Sequence, residues 1–347
     1  SQLLLYSLLR PILFLAPADV AHSFGLWAFR RKTIWSILRR FYGVRDERLE
    51  IDIFDNRLMN PIGLAAGFDK DAELLHSMST LGFGFLTIGS VRSLPHPGNP
   101  RPWLVRYPEQ NALVNSLGLP SKGAAHVVSN LAQTHLDVPV FCSIAGESVD
   151  DFTAVLEKLQ EHVEGIEVNV SCPNVERDGT FEDDLVMLDI LVSAITEKKK
   201  RPILLKISPF LSRERDKMLQ IVDIAKRRGV DGITAVNATP IPEARLGVGR
   251  GGLTGSSVRV EARRIVSEIY EEVQGKIPII GIGGVSSGKD AYDMISHGAT
   301  AVAFLTALIY SGPGTAQIMN KELLEMLTKN HFSSVKELIG YHSRTPS

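Results

Sequence analysis

The sequence predicts a (β/α)8 barrel, of the TIM type, preceded by a small N-terminal helical extension. Three observations lead there. From about residue 50, short continuous apolar runs alternate with helical segments, which is the pattern of parallel strands buried on both faces. The alternation counts out to eight β units, most of them followed by a helix, the arithmetic of a closed barrel. Finally, 347 residues with 44% hydrophobic and 22% charged side chains describe an ordinary globular enzyme. A doubly wound open sheet would share the alternation but would be long for one sheet.

Taken in order, the elements begin with an unusual amino terminus. Residues 3–15 are strongly apolar but are broken by Arg10 and Pro11, and they fall short of the ~20 apolar residues a bilayer crossing needs. A second segment, 19–41, carries Val20, Phe24, Trp27, Ala28, Ile34, Trp35, Leu38 and Phe41 beside a basic group at Arg30, Arg31, Lys32, Arg39 and Arg40. Asp19 is its expected N-cap. Two short helices with apolar faces and a basic flank suit an element lying on a membrane surface, or a helical cap packed on the main domain. No signal peptide is expected, because no small-residue cleavage site precedes further amphipathic helix.

The strand candidates are 61–66, 85–90, 138–145, 165–170, 203–208, 232–237, 277–281 and 301–305, with helices expected at 148–161, 213–228, 257–273 and 288–297. Residues 93–130 form a Pro- and Gly-rich insertion after the second strand that matches neither period. The net charge of −1 supplies no field for nucleic acid or acidic surfaces, so no nucleic-acid partner is expected. The two cysteines, Cys142 and Cys172, are too few for a disulfide scaffold and match no zinc spacing, which points to a reducing compartment and no metal site.

Reactive groups of such barrels lie at the carboxyl ends of the strands. Those ends read Ala65-Ala66-Gly67, Gly89-Ser90, Ala145-Gly146, Asn169-Val170-Ser171-Cys172-Pro173-Asn174, Lys206, Asn237-Ala238-Thr239, Gly281-Ile282-Gly283-Gly284 and Leu305-Thr306. Recurring small residues let backbone approach something flat and large. Recurring amides answer a ligand rich in donors and acceptors. The glycine loop after the seventh strand and Thr306-Ala307 after the eighth occupy the usual phosphate position of these barrels, although glycines can also simply make turns. Lys206 ends an apolar run where a lysine is costly to desolvate. There it can hold negative charge on a bound ring, or point to solvent. Cys172 follows a strand in a Pro-containing loop, and a thiol with a pKa near 8.5 is a usable base. On its own it reads equally as an inert buried cysteine; a nucleophile is poorly supported, since the loop offers no histidine.

From about residue 11 to 340, the chain resembles the dihydroorotate dehydrogenase family. The resemblance rests on Ala65-Ala66-Gly67-Phe68-Asp69-Lys70-Asp71, Asn115-Ser116-Leu117-Gly118-Leu119, Asn169-Val170-Ser171-Cys172-Pro173-Asn174, Gly251-Gly252-Leu253-Thr254-Gly255 and Ile280-Gly281-Ile282-Gly283-Gly284-Val285. It implies FMN at the barrel mouth and oxidation of dihydroorotate to orotate in pyrimidine synthesis. It implies a substrate site of Lys70, on the substrate carboxylate, with Asn115, Ser116, Leu117, Gly118, Leu119, Asn169, Asn174, Asn237 and Ala238. The FMN set it implies is Ala66, Gly67, Ser90, Asn169, Lys206, Val236, Gly255, Gly283, Gly284, Leu305 and Thr306. The family often has an aromatic where Leu305 stands, so only its backbone is expected to contribute. Cys172 would take the C5 proton while hydride leaves C6, with Lys206 stabilising the charge gathering on the flavin.

Two features point to different branches. The helical extension and Phe68-Asp69-Lys70 are similar to the membrane-associated, quinone-using branch, and His22 and Arg106 fall where its tunnel residues would lie. That branch usually carries serine as base. Cys172, Ser143-Ile144-Ala145-Gly146 and the Asn115 motif look like the soluble branch, which uses fumarate or NAD. Quinone is the expected acceptor, because the extension has no evident purpose in a soluble enzyme. The expectation is therefore two units, a quinone-access extension at 1–45 and an FMN barrel at 46–347, peripheral on a bacterial cytoplasmic or mitochondrial inner membrane. With fumarate or NAD the location would be cytoplasmic. A dihydropyrimidine or dihydrouridine reductase would share the barrel, but the near-neutral charge and the asparagine set speak against it. A flavin-binding scaffold with a dead site is opposed by the intact Lys70, Cys172 and asparagines.

Overall fold

The structure, a computed structural model, describes residues 2–171 and 179–344. Three helices come first: Gln2–Leu15 (α1), Ala18–Phe29 (α2) and Lys32–Tyr42 (α3). The sequence had suggested two. A break at Arg30 and Arg31 divides the second, and α1 runs on through Pro11. The expected cap is also corrected. Pro17 holds the N-cap of α2, while Asp19 sits in the first turn and accepts the Trp103 backbone N–H at 3.1 Å. Its carboxylate serves the neighbouring loop instead of its own helix.

The antiparallel hairpin Ile51–Ile53 (β1) and Asn56–Leu58 (β2) precedes the first barrel unit, Ile62–Leu64 (β3) with Leu75–Met78 (α4). Phe85–Val91 (β4) follows, then Leu104–Tyr107 (β5), Ala112–Asn115 (β6) and Ala124–Ala132 (α5). The next units are Val140–Ile144 (β7) with Val149–Leu159 (α6), Gly165–Asn169 (β8) with Leu185–Lys198 (α7), and Ile203–Ile207 (β9) with Arg215–Arg227 (α8). Gly232–Ala235 (β10), Thr239–Pro242 (β11) and Arg250–Gly255 (β12) lead into Arg259–Val273 (α9). Ile279–Ile282 (β13), Gly288–Ser296 (α10), Ala301–Phe304 (β14), Thr306–Ser311 (α11) and Thr315–Lys329 (α12) complete the ring.

Eight parallel strands close in the order β3-β4-β7-β8-β9-β10-β13-β14. Each expected strand is present, most of them trimmed at the ends. Side-chain caps open three of the barrel helices: Ser148 for α6, Asp184 for α7 and Ser287 for α10. Ser148 accepts from the Asp151 N–H at 3.1 Å, and the Asp151 carboxylate accepts from the Ser148 N–H at 3.2 Å, so α6 starts at Val149 behind a reciprocal cap.

Two features were not legible beforehand. The insertion contributes β5 and β6, which join β11 and β12 in an antiparallel four-stranded sheet. The hairpin turn carries Phe54, whose ring meets Phe141 edge-on at 6.2 Å. Phe141 in turn meets Phe85 at 5.8 Å, and both are fully buried. Aromatic packing thus fills one end of the barrel and leaves its polar interior side chains toward the carboxyl end.

Candidate active site

The cavity lies at the carboxyl end of the barrel strands and has a volume of about 420 Å³, inside the range of small-molecule sites. Ala65, Ala66, Gly67 and Lys70 reach it from the loop after β3; Gly89 and Ser90 come from β4. Asn115, Leu117, Gly118 and Leu119 arrive from the insertion, Asn169 from β8, Lys206 from β9, and Val236, Asn237 and Ala238 from the end of β10. Gly255, Gly283, Gly284, Leu305 and Thr306 complete the wall. Residues scattered over two hundred positions are brought together by barrel closure.

One connected polar network forms the floor. Ser90 Oγ and Ser143 Oγ are 2.9 Å apart, and Asn169 Nδ2 donates to Ser90 Oγ at 3.0 Å. Asn237 Nδ2 donates to Asn169 Oδ1 at 3.2 Å and to Ser171 Oγ at 3.0 Å, while its own oxygen accepts the Ala238 N–H at 2.8 Å. Asn115 Nδ2 donates to the Gly252 carbonyl at 3.3 Å. Each amide is oriented by a neighbour yet keeps capacity for a ligand. Lys70 donates to the Gly67 carbonyl at 2.7 Å.

Opposite this network lies a glycine-lined wall. Gly255, Gly283 and Gly284 hold φ values of +106°, +129° and +72°, a region that disfavours side chains. A Cβ on Gly284 would stand 2.6 Å from that of Arg259, so this loop lies tight on the start of α9. Beside it, α11 starts at Thr306 without a side-chain cap, and Thr306 Oγ1 lies 2.8 Å from Thr254 Oγ1. Open backbone N–H groups at such a point suit a phosphate. The donor set as a whole fits FMN: a glycine cradle for the phosphate, and amides with one buried cation for the ring. Lys206 has Glu167 as its one partner among the described residues, at 3.5 Å, so its ammonium retains donors for a ligand.

Burial sets the electrostatics. Lys70 is half-buried in the wall, and desolvation pulls its ammonium down to about 8, against the raising effect of Asp71 and Asp69. His22 lines the same cavity. Burial first, then Lys70 and Arg101, push its imidazole down to about 3, so it is neutral at physiological pH. Burial and the Glu167 carboxylate drive the Cys142 thiol upward, which leaves it inert as acid or base.

Some expected residues stand elsewhere. Cys172 and Asn174 lie outside the described residues. Ser116 is buried and faces Asn99, whose Nδ2 donates to its Oγ at 3.2 Å. Arg106 does not line the cavity; its guanidinium donates to the carbonyls of Leu13, Phe14 and Ala16 and so caps α1. The Leu305 side chain leans toward Gly67, where a Cβ would meet it at 3.2 Å. Sequence reading also passed over several residues. Arg10, Leu104 and Tyr310 line the cavity, and Arg10 donates to the Tyr310 carbonyl at 3.0 Å. No local signal links them. Ser143 and Glu167 did carry one, as polar residues inside otherwise apolar strands.

Known proteins resemble this chain over nearly its whole length. The family model described as Dihydroorotate dehydrogenase matches residues 48–327. A Halobacterium salinarum protein named dihydroorotate dehydrogenase (quinone) is 35% identical, with 97% of this chain and 99% of the relative aligned. A Roseiflexus protein of the same name is 33% identical, over 97% of this chain and 98% of the relative. Among solved structures, an Eimeria tenella DHODH in complex with ferulenol superposes with a TM-score of 0.80 at 26% identity, covering 95% of this chain and 96% of that one.

Proposed function

Because the chain belongs to the dihydroorotate dehydrogenase family, we propose that it oxidises (S)-dihydroorotate to orotate and passes the electrons through FMN to a quinone. The observation that carries this reading is a single cavity. It joins Asn115, Asn169, Asn237 and Lys70 at the barrel mouth to His22 and Arg10 on the amino-terminal helices. FMN held there by Ser90, Asn169, Lys206 and the glycine loops would supply hydride acceptance and onward electron transfer.

The chain's own residues do the rest. Lys70 pairs the substrate carboxylate, and Asn115, Asn169, Asn174 and Asn237 hold the urea-like edge of the ring. Cys172, which follows Ser171 in the chain, takes the proton from C5. Lys206 offers its cation to the side of FMN where negative charge gathers. The loops around Gly255, Gly283, Gly284 and Thr306 hold the phosphate.

The quinone arrives between α1 and α2. Arg106 acts there by fastening the end of α1, and His22 presents a neutral ring suited to an uncharged carrier. Apolar side chains crowd the outer faces of these helices and of α3: Leu8, Ile12, Leu15, Val20, Phe24, Trp27, Ile34, Ile37 and Phe41 are all exposed. With Arg30, Arg31 and Lys32 beside them, they suit docking on a membrane surface. No described helix is long and apolar enough to cross a membrane.

The deciding experiment is an anaerobic titration. The purified protein should be yellow and should bleach with dihydroorotate, and quinone should restore the colour faster than fumarate or NAD. A colourless protein, or one unmoved by dihydroorotate, would sink the reading.

A further inference from the structure

Beneath Lys206, on the side away from the cavity, stands a carboxylate that no part of the mechanism above uses. Glu167 lies on β8 and Lys206 on the adjoining β9, with Asn169 in register with Lys206 and Glu167 in register with Leu204. Side chains two apart on a strand share a face. Glu167 therefore sits one step below Asn169, inside the barrel. It is 2% exposed and Lys206 7%. Their charged atoms are 3.5 Å apart, and Glu167 Oε1 has no hydrogen-bond partner among the described residues. Thr234, in register with Lys206 from the other side, likewise leaves its hydroxyl unpartnered among them.

Stability alone does not explain this pair. Desolvating two ions costs about as much as their attraction returns, and well-packed apolar residues often serve equally well. A separation of 3.5 Å is also too long for a tight ammonium–carboxylate hydrogen bond. Lys206 lines the cavity and has the Glu167 carboxylate beneath it.

We propose that Glu167 is a positioning residue that sets the electron affinity of the flavin site: through Lys206 it anchors the ammonium at the cavity floor and offsets part of its charge. This rests on the reading of Lys206 as the cation facing FMN. The sign follows from electrostatics. Reduction gathers negative charge beside Lys206, and a fixed negative charge just beyond the lysine opposes it through a poorly screened interior. Neutral Glu167 would make the site a stronger oxidant toward dihydroorotate and a weaker donor to quinone.

The experiment measures the FMN midpoint potential of the holoenzyme by anaerobic spectroelectrochemistry in the wild type, E167Q, E167D and K206M. E167Q should favour reduced FMN by at least tenfold at fixed potential, an upward shift of about 30 mV for a two-electron couple. K206M should move the potential downward, and E167D should stay closer to the wild type than E167Q. In rapid mixing, E167Q should bleach faster with dihydroorotate and recolour more slowly with quinone. A wild-type potential in FMN-loaded E167Q, while K206M is shifted, would overturn the proposal. An unshifted K206M would overturn it as well, through the lysine. A wild-type protein that takes up no FMN would instead bring down the functional reading on which it stands. Should E167Q fail to fold, infrared difference spectra of the wild type decide. Reduction should perturb a carboxylate band that E167D moves, and silence in that region would count against Glu167.

Discussion

At the scale of single residues, chemistry was readable wherever a side chain was out of keeping with its neighbours. Lys206, Asn169 and Asn237 stand at the ends of apolar runs, Lys70 and Asn115 are marked only by the family resemblance, and all five meet on one cavity. Arg10 breaks an apolar run, but its place in the cavity, like that of Tyr310, depends on a contact between chain ends and was not readable. Two predictions belong here. Cys172→Ala should lower turnover by about 10²–10⁴-fold, the usual worth of a positioned base, while FMN and orotate still bind. Cys172→Ser should retain partial activity with its pH profile moved upward, since a hydroxyl is the weaker acid. Steady-state rates across pH check both, and a wild-type rate in the alanine variant would remove the thiol from the mechanism. The second concerns Lys70, whose ammonium is held at about 8 by burial. It is cationic below that pH, so orotate affinity should be level under pH 7 and fall about tenfold per unit well above 8. Calorimetric titration from pH 6 to 9.5 tests this, and a level curve would place the carboxylate elsewhere.

At the scale of elements, periodicity located the barrel strands and the helices α6, α8, α9 and α10, because a strand buried on both faces reads as an apolar run whatever surrounds it. It did not locate β5, β6, β11 and β12. Their pairing is not local: β6 is held by β12 across more than a hundred residues, a register that local pattern does not carry. The amino-terminal helices divide by their packing. Trp35 and Tyr42 of α3 are buried in the barrel's core, whereas α1 is joined to α11 through Tyr6 Oη to the Ile309 carbonyl at 2.5 Å and Arg10 to the Tyr310 carbonyl. Removing residues 1–16 should therefore leave a folded flavoprotein. It should still bleach with dihydroorotate, but quinone turnover should drop at least about tenfold, and sedimentation with lipid vesicles should weaken with the lost apolar area. Undiminished quinone reduction would refute an access route between these helices.

At the scale of the whole molecule, barrel closure separates a hydrophobic end from a polar one. Phe85 and Phe141 fill the first with Phe54 packed beneath, so Phe141→Ala should cost about 3–5 kcal/mol. Urea unfolding measures it, and a loss under about 1 kcal/mol would show that the hairpin does not seal this end. The amino-acid order by itself determined the eight-unit alternation, the starts of α6, α8, α9 and α10 and the residue types at strand ends. Each depends on hydrophobic period or capping chemistry within a few residues of the chain. Only the tertiary structure decided which of those ends face one another, that Glu167 lies behind Lys206, and that Arg106 caps a helix outside the cavity wall. These are distances between segments far apart in sequence, set by closure of the ring and by packing, and no local pattern of side chains contains them.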